Sequence, residues 1–335
     1  GIRLNLSVRI ADLVMQNPVG VASGTFGYGE EYSALIDVQG LGALYTKAVT
    51  PEPRIGNPAP RLADTPAGML NSIGLANPGL AAFIREKLPV LAPSGLASGV
   101  RPTDPLETAS RVMNRCAVIV NVAGKTEEDY RTVVEALEAE NGVDGYEINV
   151  SCPNVGHGGM AFGSDCSLVE RLTRTLRDCS DAGAHKRPGG QRRPVIVKLS
   201  PNVTDITAIA KAAEAGGADA VSCINTLVGM VIDVKQKRPV LALKTGGLSG
   251  PAIRPIGVAA VYRVSRAVRI PVIGLGGITD ADDALQYLLA GAAAIQVGTA
   301  IFNRPETPAE VLAGIKDFMQ REKLETASEI RCLLL

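Results

Sequence analysis

Five polar residues of this chain stand at the C-terminal ends of short apolar runs: Lys47, Asn121, Asn149, Lys198 and Asn225. An ammonium set among buried apolar residues is costly unless it faces an anion or an electron-rich ring. Carboxamides carry donor and acceptor side by side, which suits a planar, amide-like heterocycle. Two glycine segments complete the set, Gly274-Leu275-Gly276-Gly277-Ile278 and Gly298-Thr299-Ala300. Glycines there let backbone N–H groups come close to an anion, and a following helix N-terminus adds a favourable dipole. A phosphate, a planar ring and two lysines together suggest flavin mononucleotide (FMN). Pyridoxal phosphate joined to Lys198 as a Schiff base satisfies the same residues. Thr279 occupies the last glycine position of a would-be G-x-G-x-x-G at Gly274, and no dinucleotide fingerprint occurs elsewhere, which argues against direct NAD binding. The six cysteines are scattered without a C-x-x-C, so they form neither a disulfide framework nor a metal or iron–sulfur ligand set.

The elements that must carry these residues alternate in type. Apolar, β-branched runs predict barrel strands at Val19–Ala22, Ala43–Thr46, Ala117–Val120, Gly145–Asn149, Val195–Leu199, Ala220–Ile224, Val272–Gly274 and Ala294–Val297. Helical periodicity fits Glu127–Glu140, Ser167–Asp178, Asp205–Glu214, Pro255–Ala267 and Asp280–Leu289. Thr204-Asp205 and Thr279-Asp280 supply N-cap chemistry, and Gly216 and Gly291 are C-terminal stops. Leu4–Ile10 and Leu13–Gln16 read as a hairpin ahead of the repeat. The alternation predicts an α/β fold, a (β/α)8 TIM barrel with an N-terminal β-hairpin and inserted loops, spanning 1–335 as one domain. Such a barrel brings all eight strand ends to one face, where active sites are built, and the loops after its seventh and eighth strands commonly hold a phosphate. Thr50–Gly79, Leu91–Arg115 and Ser180–Arg193 interrupt the repeat, and the last, with its Pro-Gly-Gly turn and basic residues, reads as a solvated loop.

Composition narrows the function classes. The chain has 335 residues, 46% hydrophobic and 20% charged, with 34 basic and 34 acidic side chains. That balance lacks the positive field that gathers nucleic acid or anionic lipid, and 4% aromatics without tryptophan argue against base-stacking platforms. Gly1–Ile10 has no apolar signal region, and Tyr287–Phe302 is broken by Gly291, Gln296 and Gly298. A soluble, cytoplasmic protein without a membrane or nucleic-acid partner is expected.

Longer motifs are specific. The chain resembles the dihydroorotate dehydrogenases, and within them the class 1B, NAD-linked catalytic subunits. The likeness runs through NPVGVASGTFGYG (Asn17–Gly29), TKAVTPEPRIGNPAPRLADTPAGMLNSIGLANPG (Thr46–Gly79), NVAG (Asn121–Gly124) and EINVSCPNV (Glu147–Val155). It continues in VKLSPNVTDI (Val197–Ile206), INTLVGMVIDV (Ile224–Val234), TGGLSGPAIRPIG (Thr245–Gly257), GLGGI and QVGTAIF. The resemblance implies FMN-dependent oxidation of (S)-dihydroorotate to orotate in pyrimidine biosynthesis. By position, Ser23, Lys47, Ala48, Asn121, Asn149, Lys198, Ile224, Gly250, Gly276, Gly277, Gly298 and Thr299 would hold the flavin. Lys47, Asn71, Ser72, Ile73, Gly74, Leu75, Asn149, Asn225 and Thr226 would bind substrate, and Cys152 matches the catalytic base. No metal site is implied on this chain.

Oxidising a C–C bond to C=C removes a proton from one carbon and a hydride from the other, so a base is needed besides the flavin. His157, in the same loop as Cys152, is not required by the family motif; Cys223 reads as core, and Cys116, Cys166, Cys179 and Cys332 carry no argued role. The quinone-linked class carries serine where Cys152 stands, and the fumarate-linked class 1A keeps the cysteine. GTFGYG, EPRIGNPAPR and NSIGL look like class 1B, whose electrons pass to a subunit carrying FAD and a [2Fe–2S] cluster. A heterotetramer around a catalytic-subunit homodimer is the implied assembly, with the Leu91–Arg115 and Ser180–Arg193 insertions as departures that could remodel docking. The alternatives are a class 1A enzyme, another FMN-dependent dihydropyrimidine oxidoreductase, and a Lys198 Schiff-base lyase or aldolase.

Overall fold

The computed structural model describes residues 4–29, 37–91, 115–151 and 161–335. Eight parallel strands close into a barrel in simple chain order: β3 (Val19–Val21), β4 (Ala43–Tyr45), β7 (Ala117–Val122), β8 (Gly145–Asn149), β9 (Val195–Leu199), β10 (Ala220–Cys223), β15 (Val272–Leu275) and β16 (Ala294–Val297). The last strand pairs with the first, Ile295 opposite Val19. All eight predicted strands are present, with ends shifted by two residues at most.

Helices cover the outside for the reasons their sequences give. Glu127–Glu138 starts at a reciprocal capping box between Thr126 and Asp129 and buries Tyr130, Val133, Val134 and Leu137. Asp205 and Asp280 cap Ile206–Ala215 and Ala281–Ala290, and Gly216 and Gly291 end them. Among the described residues no helix is long and apolar enough to cross a membrane.

The other end of the barrel is stoppered. Strands β1 (Val8–Ile10) and β2 (Leu13–Met15) form the expected hairpin. Its Val8, Ile10, Leu13 and Met15 share one buried cluster with residues from the starts of the barrel strands, among them Ala43, Ala117, Ile196 and Ala294.

Two interruptions of the repeat have unexpected structure. Thr50–Gly79 contains β5 (Leu62–Thr65) and β6 (Gly68–Asn71), and the loop after β10 contains β11 (Leu227–Met230) and β14 (Thr245–Ser249). These join as a four-stranded antiparallel sheet in the order β11-β14-β6-β5, with β12 (Ile232–Asp233) and β13 (Arg238–Pro239) as a small ribbon beside it. Both contributing loops leave the C-terminal ends of barrel strands, so the sheet stands at that mouth.

Within Ser180–Arg193 the Pro188–Gln191 turn is exposed as expected, but the residues on either side of it are not a solvated loop. The helix predicted to end at Asp178 runs from Cys166 to Lys186. Ser180 is buried and donates to the Arg193 carbonyl at 2.5 Å. The Arg193 guanidinium, itself buried, donates to the carbonyls of Leu137 (2.6 Å) and Glu140 (2.5 Å) and to the Tyr146 hydroxyl (3.2 Å). Arg192 forks onto Asp219, and Arg187 pairs with Glu138. These basic residues tie the helices to the barrel wall; the run is polar because its partners are inside. The Leu91–Arg115 insertion falls largely outside the described residues.

Candidate active site

Strand alternation sends every second side chain into the barrel. On β8, Tyr146 and Ile148 join the outer cluster under the helices, while Glu147 and Asn149 face the interior. Glu147 is fully buried, and four strands converge on its carboxylate. Asn121 Nδ2 donates to Oε1 at 2.8 Å, and Lys198 Nζ stands 4.0 Å from the same oxygen. Ser222 Oγ (3.0 Å) and Gln296 Nε2 (2.9 Å) donate to Oε2. The phenol of Tyr45, one strand further round, is held well above its ordinary pKa by burial first and by the negative Glu147 second. Each carboxamide turns its nitrogen to the carboxylate, which leaves Asn121 Oδ1 and Gln296 Oε1 buried without a hydrogen-bond partner. Buried acceptors of that kind call for a donor from something else.

Above this layer, Asn149 and Asn225 meet. Asn225 Nδ2 donates to Asn149 Oδ1 (3.4 Å) and to Ser151 Oγ (2.9 Å), and Ser151 N–H donates to Asn149 Oδ1 at 3.1 Å. The strand end is fixed from outside by Tyr130, whose hydroxyl donates to the Asn149 carbonyl at 2.7 Å and whose ring meets Phe162 edge-on at 5.2 Å. Cys152, the expected base, follows Ser151 and lies outside the described residues, as does His157. Cys223 is core as expected, and burial pushes its thiol pKa up.

The antiparallel sheet brings the expected substrate residues to the same mouth. Leu75 packs on Ala48 and Ala123, directly behind β4 and β7. Asn57 Nδ2 reaches the Ser72 carbonyl (3.1 Å) and hydroxyl (3.2 Å), and its backbone N–H reaches the Ile73 carbonyl (2.9 Å), so Asn71–Leu75 is held as a shaped segment. Asn71 Nδ2 approaches the Gly247 carbonyl at 3.5 Å, and Thr226 lies against Gly247 from the other strand. Lys47 is half-buried and its N–H is anchored to the Gly27 carbonyl at 2.9 Å.

The glycine loops meet in two pairs. A Cβ on Gly277 would stand 2.6 Å from the Gly250 carbonyl oxygen, so these two loops are in backbone contact. Gly298 lies beside Ala22 and Thr25, which puts it against the loop carrying Ser23. Thr299 occupies the N-cap position of the short helix Ala300–Asn303, and the buried Ile224 donates its N–H to the Leu275 carbonyl at 3.0 Å. Unpartnered acceptors, a nearly buried lysine and glycine-lined loops fit a flavin phosphate and ring. Sequence reasoning missed Glu147, Ser222 and Gln296. The available signal was a charged residue at an inward position of an otherwise apolar strand, two residues before Asn149.

The family model for dihydroorotate dehydrogenase matches residues 5–319. The chain is 46% identical over 328 residues to the dihydroorotate dehydrogenase B (NAD(+)), catalytic subunit, of Alkaliphilus oremlandii, covering 98% of each. It is 46% identical over 327 residues to the protein of the same description from Thermoanaerobacter pseudethanolicus, again 98% of each, and 44% identical over 328 residues to that of Desulforamulus reducens, 98% of each.

Proposed function

Because this chain belongs to the dihydroorotate dehydrogenase family, we propose that it is an NAD-linked catalytic subunit that oxidises (S)-dihydroorotate to orotate in pyrimidine biosynthesis, with FMN as its own cofactor. The observation that carries the cofactor reading is the pair of buried, unpartnered acceptors, Asn121 Oδ1 and Gln296 Oε1, beside the Lys198 ammonium inside the barrel mouth. Membership of the dihydroorotate dehydrogenase family, not those acceptors, favours FMN over a Lys198 Schiff base.

Bound FMN supplies a ring that accepts a hydride. The chain supplies the rest. Lys47 balances the anionic substrate, and Asn149 and Asn225 offer donors and acceptors to its amide edges. Asn71, Ser72, Ile73, Gly74, Leu75 and Thr226 shape the opening over it. Cys152 takes the proton from the substrate carbon next to the one that loses hydride, leaving C=C between them. Ser23, Ala48, Ile224, Gly250, Gly276, Gly277, Gly298 and Thr299 would hold the flavin, the glycines allowing backbone N–H groups to approach its phosphate. A partner subunit carrying FAD and a [2Fe–2S] cluster would supply the route to NAD, in a cytoplasmic heterotetramer built on a dimer of this chain. The name "catalytic subunit" carried by the relatives supports a second subunit.

The deciding experiment is the visible spectrum of the purified protein under anaerobic conditions. A yellow protein, releasing FMN on denaturation and bleached by dihydroorotate, is the expected result. A colourless protein that borohydride attaches to a carbonyl substrate through Lys198 would overturn it.

A further inference from the structure

Glu147 is the only carboxylate among the described residues that meets Asn121, Lys198, Ser222 and Gln296 together, yet it sits below the strand ends and is fully buried. Both Glu147 oxygens accept here, so the two carboxamides facing it turn their nitrogens inward and their oxygens away. The two oxygens thus turned away are the buried acceptors left without partners. Glu147 also stands as counter-charge to Lys198, whose side chain is 9% exposed. Neither effect requires Glu147 to touch a ligand.

We propose that Glu147 is a positioning residue for the flavin: by fixing the Asn121 and Gln296 carboxamides and balancing Lys198, it turns carboxamide oxygen rather than N–H toward the ring's one donor and presents one compensated cation. This rests on the FMN reading. The oxidised flavin ring carries a single N–H donor among several acceptors, so the polarity of the protein groups facing it is decisive for affinity. A second consequence is electrical. A fixed negative charge near the ring opposes the negative charge gained on reduction, so Glu147 holds the reduction potential down.

Glu147→Gln separates these roles from packing, because it keeps shape and removes charge. One end of the new carboxamide is a donor, and it meets a donor already in place on Asn121 or Gln296. Relief comes when that neighbour turns over and shows N–H to the cavity instead of oxygen. The experiment uses apoprotein titrated with FMN, the midpoint potential of the bound flavin, and the melting temperature of the apoprotein. The expected result is FMN binding weakened at least tenfold. Reduced flavin should also be favoured over oxidised about tenfold more than in the parent, a rise of ~30 mV for a two-electron couple. Parental affinity and parental potential, whatever the melting temperature does, overturn the proposal. If Glu147→Gln does not fold, Gln296→Met removes one presented acceptor and leaves Glu147 bound to Asn121 and Ser222. A tenfold weaker FMN affinity there supports the proposal, and parental affinity overturns it. A parent apoprotein that takes up no FMN overturns the flavin reading instead, so the two failures are distinct.

Discussion

Two glycines of the proposed phosphate loops respond differently to alanine. At Gly298 an added Cβ meets the Ala22 Cβ at 3.6 Å and the Thr25 Cγ2 at 3.9 Å, both ordinary contacts, and the backbone is outside the left-handed region. Alanine there strains nothing in the apoprotein and stabilises it by about 0.4–1 kcal/mol through a stiffer unfolded chain. If this loop holds the FMN phosphate, as proposed, the methyl occupies the space through which backbone N–H groups reach that anion. Losing one charge-assisted hydrogen bond costs about 1.5–3 kcal/mol. At 1.4 kcal/mol per decade that is roughly a 10–100-fold rise in the Kd for FMN. Gly277 is the opposite case: its φ is +68°, and a Cβ would lie 2.6 Å from the Gly250 oxygen and 2.8 Å from the Arg254 Cβ. The left-handed conformation alone costs an L-residue about 1–2 kcal/mol, so Gly277→Ala lowers the apoprotein melting temperature by several degrees. Melting curves of both apoproteins and fluorescence titration with FMN check the pair. If Gly298→Ala binds FMN as the parent does, or melts as low as Gly277→Ala, the assignment of that loop is wrong.

Cys152→Ala should keep its flavin and lose about 10²–10⁴ in the rate of flavin reduction by dihydroorotate, measured by stopped flow, with Cys152→Ser retaining a remnant. The parental rate should rise toward alkaline pH unless neighbours shift the thiol from its ordinary ~8.5; an undiminished alanine variant removes Cys152 from the chemistry. Purified alone, the chain should reduce an artificial dye with dihydroorotate but reduce NAD negligibly until a cognate FAD and iron–sulfur subunit is added; rapid fumarate turnover would place it in class 1A. Arg193→Leu strips hydrogen bonds from the Leu137 and Glu140 carbonyls and the Tyr146 hydroxyl, and should cost about 3 kcal/mol. An unchanged melting temperature in that variant would return the segment to a merely solvated role.

The barrel was readable because each of its strands is a contiguous apolar run whose partner is the next strand along, and because Asp205 and Asp280 mark helix starts on their own. The sheet at the mouth was not. Leu70 pairs with Leu248, and the strands that meet there, GMLN and TGGLS, owe their conformation to pairing across that span rather than to apolar alternation. Arginines 187, 192 and 193 were misread because charge in a Pro-Gly-Gly context resembles a surface turn; their acceptors, such as Asp219 and Glu138, sit far away in sequence. In the site, Lys47, Asn121, Asn149, Lys198 and Asn225 were legible as polar residues ending apolar runs. Glu147 and Gln296 were hidden inside such runs, visible only once the alternation of each strand is read as inward and outward.

The hairpin stopper has a consequence for synthesis. Val8, Ile10, Leu13 and Met15 leave the ribosome long before Ala294, on the strand that closes the barrel, yet they share one cluster with it. At ribosomal speeds of about 5–20 residues per second, the roughly 280 residues between them take on the order of 15–60 s to appear. A β-hairpin forms within about 1–10 μs, so β1 and β2 can pair at once and still have nothing to cover. Throughout that interval the nascent chain carries a small sticky patch on this hairpin. A ribosome that stalls before β16 leaves the hairpin without Ala294 and so without the complete cluster it caps.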